Sequence, residues 1–308
     1  MLDAVIVTAD SRDMVLQCLD HLTDPSVRAI VVDNGSTDGT AEAVAARPDA
    51  TLVRLDAPTG LARAFNSGAA AGRSELVLFL NDDIFATDGS VAALAGALRV
   101  RPDAVAAGGR LVDPVSGATQ ARYLPARFPS FATFAVMLSG LASVWPDNPW
   151  TRPDRTLEAR EQGALDVDQP AGACLLVRRD ALERIGGWDE RFFFWYEDVD
   201  ICRRLTRLGA IVWMPEAAFR HVGGASFARW DRARATRSML HGLTQYGAAH
   251  LARGRQAALG ALVLAVAAPR VVAFACLRPD LAAVYRDALA AGTALVRGRP
   301  VPPLVTPV

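Results

Sequence analysis

The chain has 308 residues, 51% of them hydrophobic, which is enough for one large α/β domain or two smaller ones. Its 33 basic and 33 acidic side chains cancel, and this balance argues against a protein that binds nucleic acids through a general positive charge. The four cysteines are far apart and match no zinc-binding spacing, so we interpret them as reduced core residues of a cytosolic protein. No charged and hydrophobic leader precedes the first apolar strand, and we therefore predict no signal peptide.

The first third of the chain alternates between apolar strands and helices. We predict strands at Ala4–Thr8, Ala29–Asp33, Thr51–Leu55, Leu76–Leu80 and Val105–Gly108, with helices at Met14–Leu22, Ala41–Ala46, Gly60–Ala71 and Asp88–Leu98 between them. This alternation predicts an α/β fold with a mostly parallel, doubly wound sheet of the Rossmann-like kind.

The middle and the end of the chain differ from the first third in composition. Asp113–Gln169 contains six prolines together with Trp145 and Trp150, and we predict that it is rich in loops. After it we predict strands at Ala173–Val177 and Ala210–Met214 and helices at Asp180–Ile185, Asp198–Leu208 and Arg237–Arg253, and then a disordered tail at Pro300–Val308.

The segment Ala257–Leu277 is apolar apart from Pro269 and Arg270. Its length is that of a membrane-spanning helix, but we expect Pro269 and Arg270 to divide it into two shorter pieces. Three interpretations stay open: a spanning helix, an amphipathic helix that lies on a membrane between flanking arginines, and a helix packed on the main domain.

Two acidic clusters end apolar runs. The first run, Leu76–Asp83, ends in the adjacent carboxylates Asp82 and Asp83. The carboxyl ends of core strands face a crevice in open α/β sheets, and Mg²⁺ typically binds one or two protein carboxylates plus substrate phosphates. The cluster therefore favours a metal–diphosphate site over the alternative, polar residues that merely end a strand.

The second cluster is in Phe192–Asp200, FFFWYEDVD, directly before a predicted helix. Asp200 is three and four residues before Arg203 and Arg204, so we expect it to form an ion pair within the helix. Asp198 follows aromatic residues closely, and partial loss of solvent there would raise its pKa toward that of a general base.

Two further motifs have both a functional and a structural interpretation. In Val31–Thr40, VVDNGSTDGT, Asp33 at the strand tip either accepts a base N–H of a nucleotide or only forms a turn. His221, before Gly223 and Gly224, is either a metal ligand or an ordinary surface or core histidine. The chain has no GxGxxG after its first strand, no Walker A sequence and no GxSxG, which removes the main support for a dehydrogenase, a P-loop ATPase or an α/β-hydrolase.

The order of these motifs resembles the inverting GT-A glycosyltransferases of family 2. The resemblance spans about residues 3–230 and rests on VVDNGSTDGT, TGLARAFNSG, FLNDD, GACLLVRR, WYEDVDICRR and RHVGGAS. The segment VWPDNPWTRPDR is similar to one in bacterial rhamnosyltransferases that act on N-acetylglucosaminyl-diphospho-polyprenol. The chain departs from the family pattern at Ala9 and Asp10, where an aromatic residue and Asn are frequent, and at Thr59, where Asn is frequent.

The resemblance implies a role for each matching position. Asp198 would be the general base, and Asp83 and His221 would hold Mg²⁺ or Mn²⁺. Donor binding would fall to Thr8, Asp33, Asn34, Gly35, Arg63, Asn66, Asn81 and Asp82, and acceptor binding or support to Glu197, Trp195 and Gly172. It also implies a GT-A catalytic domain at 1–235, with a nucleotide-sugar half at 1–112 and an acceptor half at 113–235, followed by a helical extension at 236–299.

The function implied is transfer of a sugar, L-rhamnose from dTDP-L-rhamnose, to a polyprenyl-linked or glycan acceptor, by a protein on the inner face of the cell membrane. One alternative is the same fold with a UDP- or GDP-sugar, for polysaccharide or protein glycosylation. The other is a non-catalytic scaffold that only binds sugar nucleotides. The sequence leaves the oligomeric state open.

Overall fold

The computed structural model describes residues 1–151, 157–224 and 231–304. The chain divides into two compact units that are not contiguous in sequence. Unit 1 comprises Met1–Phe128, Pro153–Glu190 and Asp198–Ala225, and unit 2 comprises Pro129–Arg152, Arg191–Glu197 and Ser226–Val308. The division of function at residue 235 that the sequence suggested stays a prediction.

In the described part of unit 1, nine strands form one sheet in the order β3-β2-β1-β4-β8-β6-β9-β5, with β7 paired to β9. Their bounds are β1 Leu2–Thr8, β2 Val27–Asn34, β3 Ala50–Leu55, β4 Leu76–Asn81, β5 Ile84–Ala86, β6 Ala104–Val112, β7 Leu165–Asp166, β8 Cys174–Arg178 and β9 Ala210–His221. The strands β3, β2, β1 and β4 are mutually parallel, and β8 is antiparallel to both β4 and β6. The predicted α/β class is confirmed, and the antiparallel strands make the sheet mixed.

The helices are α1 Arg12–Asp20, α2 Thr40–Ala45, α3 Leu61–Ala71, α4 Ser90–Val100, α5 Phe131–Ser139, α6 Leu141–Val144, α7 Arg179–Arg184, α8 Glu197–Leu205, α9 Arg232–His250, α10 Arg253–Phe274 and α11 Pro279–Arg297. A short 3₁₀ helix spans Ala121–Tyr123.

Helices cover both faces of the sheet, which explains the unbroken apolar run Ala4–Val7 in β1. Ala4 and Ile6 pack in one core cluster with Val15 of α1, whereas Val5 belongs to the other cluster with Phe65 of α3. Since successive side chains of a strand point to opposite faces, a strand covered on both faces has a continuous hydrophobic run.

The middle segment is more regular than predicted. Phe131–Ser139 forms α5, whose first turn is closed by a capping box in which Ser130 and Thr133 bond each other's backbone N–H groups. The prediction of loops failed here because the frequent prolines flank this apolar stretch and none lies inside it. Trp145 and Trp150 are 46% and 45% exposed, as their surroundings suggested. Residues 152–156 of the VWPDNPWTRPDR segment lie outside the described residues.

In unit 2, α10 continues through Pro269, so the prediction that Pro269 and Arg270 divide the apolar segment is wrong. Pro269 is on an exposed side of the helix, where the carbonyl group left without its usual N–H donor can reach solvent. Within the described residues, α10 is the one helix whose length and mean hydropathy of 2.1 suffice to cross a membrane.

The last residues described are packed rather than disordered. Val301 is buried, and His241 Nε2 lies 3.2 Å from the carbonyl oxygen of Pro302. The predicted disorder of Pro300–Val308 is therefore not seen at residues 300–304, while residues 305–308 lie outside the described part of the chain.

Candidate active site

Three parallel strands bring the predicted donor-binding residues to one edge of the sheet. In the strand register Thr8 of β1 pairs with Asp33 of β2, and Val7 pairs with Asn81 of β4. Asp82 and Asp83 follow directly after β4. The carboxyl ends of parallel strands in such sheets line a ligand crevice. These residues therefore lie at the end of the sheet where a ligand is expected.

The two carboxylate oxygens of Asp33 have different surroundings. One carboxylate oxygen accepts the Ser36 N–H at 3.1 Å and so forms a turn, while Oδ2 is buried without a hydrogen-bond partner, 3.9 Å from Arg54 Nε. A buried acceptor of this kind costs free energy unless a ligand donates to it. The turn formed by Asp33 is therefore compatible with recognition of a base N–H by its second oxygen.

The turn after β2 also explains Gly35 and Thr59. Gly35 has φ +80°, and a Cβ there would lie 2.8 Å from backbone atoms of Ala57 and Pro58, so only glycine fits. Asn34 Oδ1 accepts hydrogen bonds from both the backbone N–H and the hydroxyl of Thr59, at 2.9 and 3.2 Å. Thr59, which departs from the family pattern, thus holds the Asn34 amide in place.

The two adjacent acids have different surroundings. Asp82 accepts a buried hydrogen bond of 2.8 Å from the Thr8 hydroxyl. Asp83 Oδ1 is buried without a hydrogen-bond partner, and its Oδ2 lies 3.6 Å from His221 Nε2. Strand pairing of Ile84 with His221 brings these two side chains together.

His221 is only 3% exposed. Burial lowers its pKa below the ordinary imidazole value, and the nearby Asp83 carboxylate opposes this shift only in part. Burial thus favours the neutral form of the ring, which has a lone pair available. A carboxylate with an unpartnered oxygen beside a neutral imidazole fits a divalent cation. Within the described ranges no group of three or more His, Cys, Asp or Glu could hold a metal, so further donors would be water or the oxygens of a ligand such as a diphosphate.

Asp198, the predicted base, lies half-buried in the first turn of α8. Burial raises the pKa of its carboxyl group, and hydrogen bonds from the backbone N–H groups of Val199 and Gly172 oppose that rise. A Cβ on Gly172 would lie 2.2 Å from Asp198 Cβ and 2.8 Å from its Oδ2. The absence of a side chain at Gly172 is thus what allows Asp198 to sit where it does.

Asp200 has a structural role, as predicted. Its Oδ2 pairs with Arg204 at 2.7 Å, and Arg204 Nη1 also donates to the carbonyl oxygens of Ile185 and Gly187. The expected ion pair within the helix is confirmed.

Asn66 and Arg63 of α3, both predicted to bind the donor, contact other residues of the protein. Asn66 Oδ1 accepts the Trp188 N–H at 2.8 Å, and its Nδ2 donates to the Trp188 carbonyl at 2.9 Å and to Glu190 at 3.0 Å. Arg63 Nε lies 3.9 Å from Glu190, and its side chain is 61% exposed. The Asn66 amide already holds the loop at Trp188, so its donor-binding role stays a prediction that these bonds do not support.

Glu197 and Trp195, predicted to support the acceptor, belong to unit 2. Glu197 is buried, and Trp195 and Tyr196 both have φ +69°, a left-handed conformation that costs about 1–3 kcal/mol for a non-glycine residue. A Cβ on Gly242 of α9 would lie 2.5 Å from the Trp195 carbonyl oxygen, so this glycine leaves room for the strained turn.

Gln120 and Tyr123 contact His221 and were not predicted from the sequence to belong to the site. Gln120 forms hydrogen bonds with both its ring and its carbonyl group, and Tyr123 packs edge-on against the ring at 4.4 Å. Both residues come from the segment predicted to be loop-rich, and no motif there indicated them. The end of RHVGGAS, residues 225 and 226, lies outside the described residues.

The sequence of the chain is similar to those of known glycosyltransferases. Residues 3–186 match the family described as Glycosyl transferase family 2, and residues 164–290 match Glycosyl transferase family group 2. Over 224 residues the chain is 35% identical to the N-acetylglucosaminyl-diphospho-decaprenol L-rhamnosyltransferase of Mycobacterium tuberculosis, covering 67% of this chain and 70% of that protein.

Solved structures share the fold at low sequence identity. The mannosyltransferase PcManGT from Pyrobaculum calidifontis, in complex with GDP-Man and Mn²⁺, has a TM-score of 0.53 and 18% identity, over 96% of this chain and 85% of that one. TarS 1–349 of S. aureus has a TM-score of 0.51 and 13% identity, over 97% and 92% of the two chains.

Proposed function

Because the chain belongs to glycosyl transferase family 2, whose matching region is residues 3–186, we propose that it transfers L-rhamnose from dTDP-L-rhamnose to a polyprenyl-diphosphate-linked N-acetylglucosamine. The chain is an inverting glycosyltransferase. The single observation that carries the proposed substrates is the 35% identity to a mycobacterial enzyme with that activity in its name. The similar segment VWPDNPWTRPDR supports the same choice.

In the proposed mechanism, Asp198 removes the proton from the acceptor hydroxyl. The hydroxyl oxygen attacks C1 of the sugar from the face opposite the nucleotide, the bond from C1 to the diphosphate oxygen breaks, and configuration inverts in one step. A carboxyl group with a raised pKa suits this task because a base of higher pKa accepts a proton more readily, as long as it stays ionised at the working pH. Because Gly172 has no side chain, Asp198 can occupy this position, and the Gly172 backbone N–H donates a hydrogen bond to the Asp198 carboxylate.

The donor would bind at the carboxyl edge of β1, β2 and β4. Asp33 Oδ2 accepts a base N–H, and Asn34 and Gly35 shape the turn beneath it. Asp83 and His221 are the residues that would hold a divalent cation, with Asp82 fixed beside them by Thr8. When bound, such a cation neutralises the charge that develops on the departing nucleoside diphosphate. The solved relative with Mn²⁺ supports a divalent cation in general and leaves Mg²⁺ or Mn²⁺ to be measured.

We further propose that the protein acts at the inner face of the cell membrane through α10. The buried residues of α10 follow one side of the helix and are Leu259, Gly260, Val263 and Ala267. Only 22% of its 18-residue apolar stretch is buried. Val272 near the end of α10 and Leu277 shortly after the helix are 78% and 82% exposed. One packed side and one exposed apolar side favour a helix that lies on a membrane over one that spans it.

The test is a donor screen with purified protein, a short prenyl-diphosphate N-acetylglucosamine acceptor and added Mg²⁺ or Mn²⁺. We expect nucleoside diphosphate release and a disaccharide product with dTDP-L-rhamnose, and an inverted anomeric configuration by NMR. The control is Asp198→Asn, which keeps the volume of the side chain and removes the base. Turnover with a UDP- or GDP-sugar alone would establish the alternative donor, and donor binding without any turnover would establish the scaffold.

A further inference from the structure

His221 is held by a pair of hydrogen bonds from one side chain. Gln120 Nε2 donates to the His221 carbonyl oxygen at 2.8 Å, and Gln120 Oε1 lies 2.8 Å from His221 Nδ1. The backbone of Gln120 is itself fixed, because its N–H donates to the Leu111 carbonyl at 2.9 Å. The imidazole ring is thus bound to a rigid partner from a segment about 100 residues earlier in the sequence.

This pair of bonds determines which ring nitrogen carries the proton. A backbone carbonyl can only accept, so the NH₂ end of the Gln120 amide must face it, and the amide oxygen must face Nδ1. An amide oxygen also only accepts, so Nδ1 must carry the hydrogen. In the neutral imidazole Nε2 is then unprotonated, and its lone pair is directed away from Gln120.

The unprotonated Nε2 meets a second acceptor. Asp83 Oδ2 lies 3.6 Å away, and both side chains are at least 94% buried. Two buried acceptors that face each other repel, and the neighbouring Asp83 Oδ1 has no hydrogen-bond partner either. A cation that accepts lone pairs from both groups would remove this conflict.

We propose that Gln120 is a positioning residue that fixes the Nδ1–H tautomer of His221 and thereby sets the affinity of the Asp83–His221 pair for a divalent cation. The inference rests on the metal role assigned to these two residues in the proposed function, and it does not depend on the identity of the sugar. Partners that orient a ligating histidine typically change metal affinity by about 10–100-fold when removed. Tyr123 restricts the ring from another side but offers no acceptor to Nδ1 in the described contacts.

The experiment compares Gln120→Met, which has similar length and no amide, with Gln120→Glu, which keeps an acceptor oxygen. The control is Gln169→Met, because the Gln169 amide also bonds a carbonyl oxygen, that of Arg127 at 3.3 Å, away from His221. Long-range ¹H–¹⁵N NMR of the metal-free proteins at about pH 8, above the ordinary imidazole pKa of about 6.5, reports the tautomer. Mn²⁺ affinity is measured by EPR or calorimetry on the same samples, with and without nucleoside diphosphate.

We expect the wild type and Gln169→Met to show the Nδ1–H tautomer and the same Mn²⁺ affinity. Gln120→Met should show a mixture of tautomers and bind Mn²⁺ about tenfold more weakly, at the low end of such effects. Gln120→Glu should retain the tautomer and most of the Mn²⁺ affinity. If Gln120→Met keeps the wild-type tautomer and affinity, or if Gln120→Glu loses both, the inference is wrong. Neither result depends on rhamnose transfer, so a failed donor assignment would be recognised separately.

Discussion

The position of Asp198, the proposed general base, depends on the absence of a side chain at Gly172, and Gly172→Ala tests this directly. A Cβ at residue 172 would lie 2.2 Å from Asp198 Cβ, and ordinary van der Waals contact begins at 3.4 Å. The two groups must therefore separate by at least about 1.2 Å, the difference between these distances. The close atom is the Cβ of Asp198, so a rotation of its carboxylate cannot relieve the clash.

A displacement of about 1 Å at a reacting group can reduce the rate about 10²-fold, which corresponds to about 2.7 kcal/mol of transition-state stabilisation. We expect this loss in kcat, because in the proposed mechanism Asp198 acts on the acceptor proton and not on donor binding. The assay is nucleoside diphosphate release with saturating donor and a lipid-linked acceptor. The control is Gly96→Ala in α4, where a Cβ would have no neighbour within 4 Å.

A double-mutant cycle separates an effect through Asp198 from a general disturbance. If Gly172→Ala acts by moving the base, it should have little further effect in the Asp198→Asn background, because the group it displaces is no longer a base. A full additional 10²-fold loss in that background, or wild-type kcat in the single variant with the fold intact, would refute the reasoning.

The remaining predictions concern the acids and the membrane helix. Asp198→Asn should lower kcat about 10²–10⁴-fold. Burial raises the pKa of Asp198 in the folded state, so its ionisation destabilises the protein as pH rises past the unfolded value, and Asp198→Asn should raise Tm at pH 7 by calorimetry. Asp200→Asn should destabilise the fold by about 3 kcal/mol in urea without changing kcat of the folded fraction. Asp83→Ala should weaken Mn²⁺ binding at least about 100-fold by calorimetry, because it removes a ligand rather than a supporting partner. Val272→Asp with Leu277→Asp should reduce flotation with anionic liposomes, whereas Val100→Asp, equally exposed at 78% in α4, should not.

The family predicted from the motifs is confirmed, and the structure shows why these motifs could be read from sequence. Asp33, Asp82 and Asp83 each follow an apolar run, and the end of a buried parallel strand is a local property of the sequence. Parallel pairing then brings these ends together without further information. The ion pair of Asp200 was equally predictable from sequence, since its partner Arg204 is one helical turn away.

Other features depend on packing that a local pattern does not contain. Pro269 and Arg270 were expected to divide the apolar segment, but α10 continues because the proline is on an exposed side. Asn66 was assigned to the donor from its motif, and that assignment stays a prediction, while in the fold its amide binds the backbone at Trp188, 122 residues away. Neither the exposed position of Pro269 nor the backbone partner of Asn66 could be predicted from residue type and local sequence.

The candidate metal site is the clearest example of a feature fixed by register. Met214 pairs with Gly109, but the next pair in the sheet is Ala218 with Arg110, so residues 215–217 form a bulge in β9. Pro215 sits in this bulge, where it has no N–H to leave unpaired, and its carbonyl oxygen accepts a 2.8 Å hydrogen bond from Arg110. If residues 215–217 instead continued the regular pairing with β6, the residues after them would lie about 10 Å farther along the sheet, at about 3.3 Å per residue. His221 would then pass its place opposite Ile84 and lose both Asp83 and Gln120, so the bulge at residues 215–217 is part of what positions the histidine.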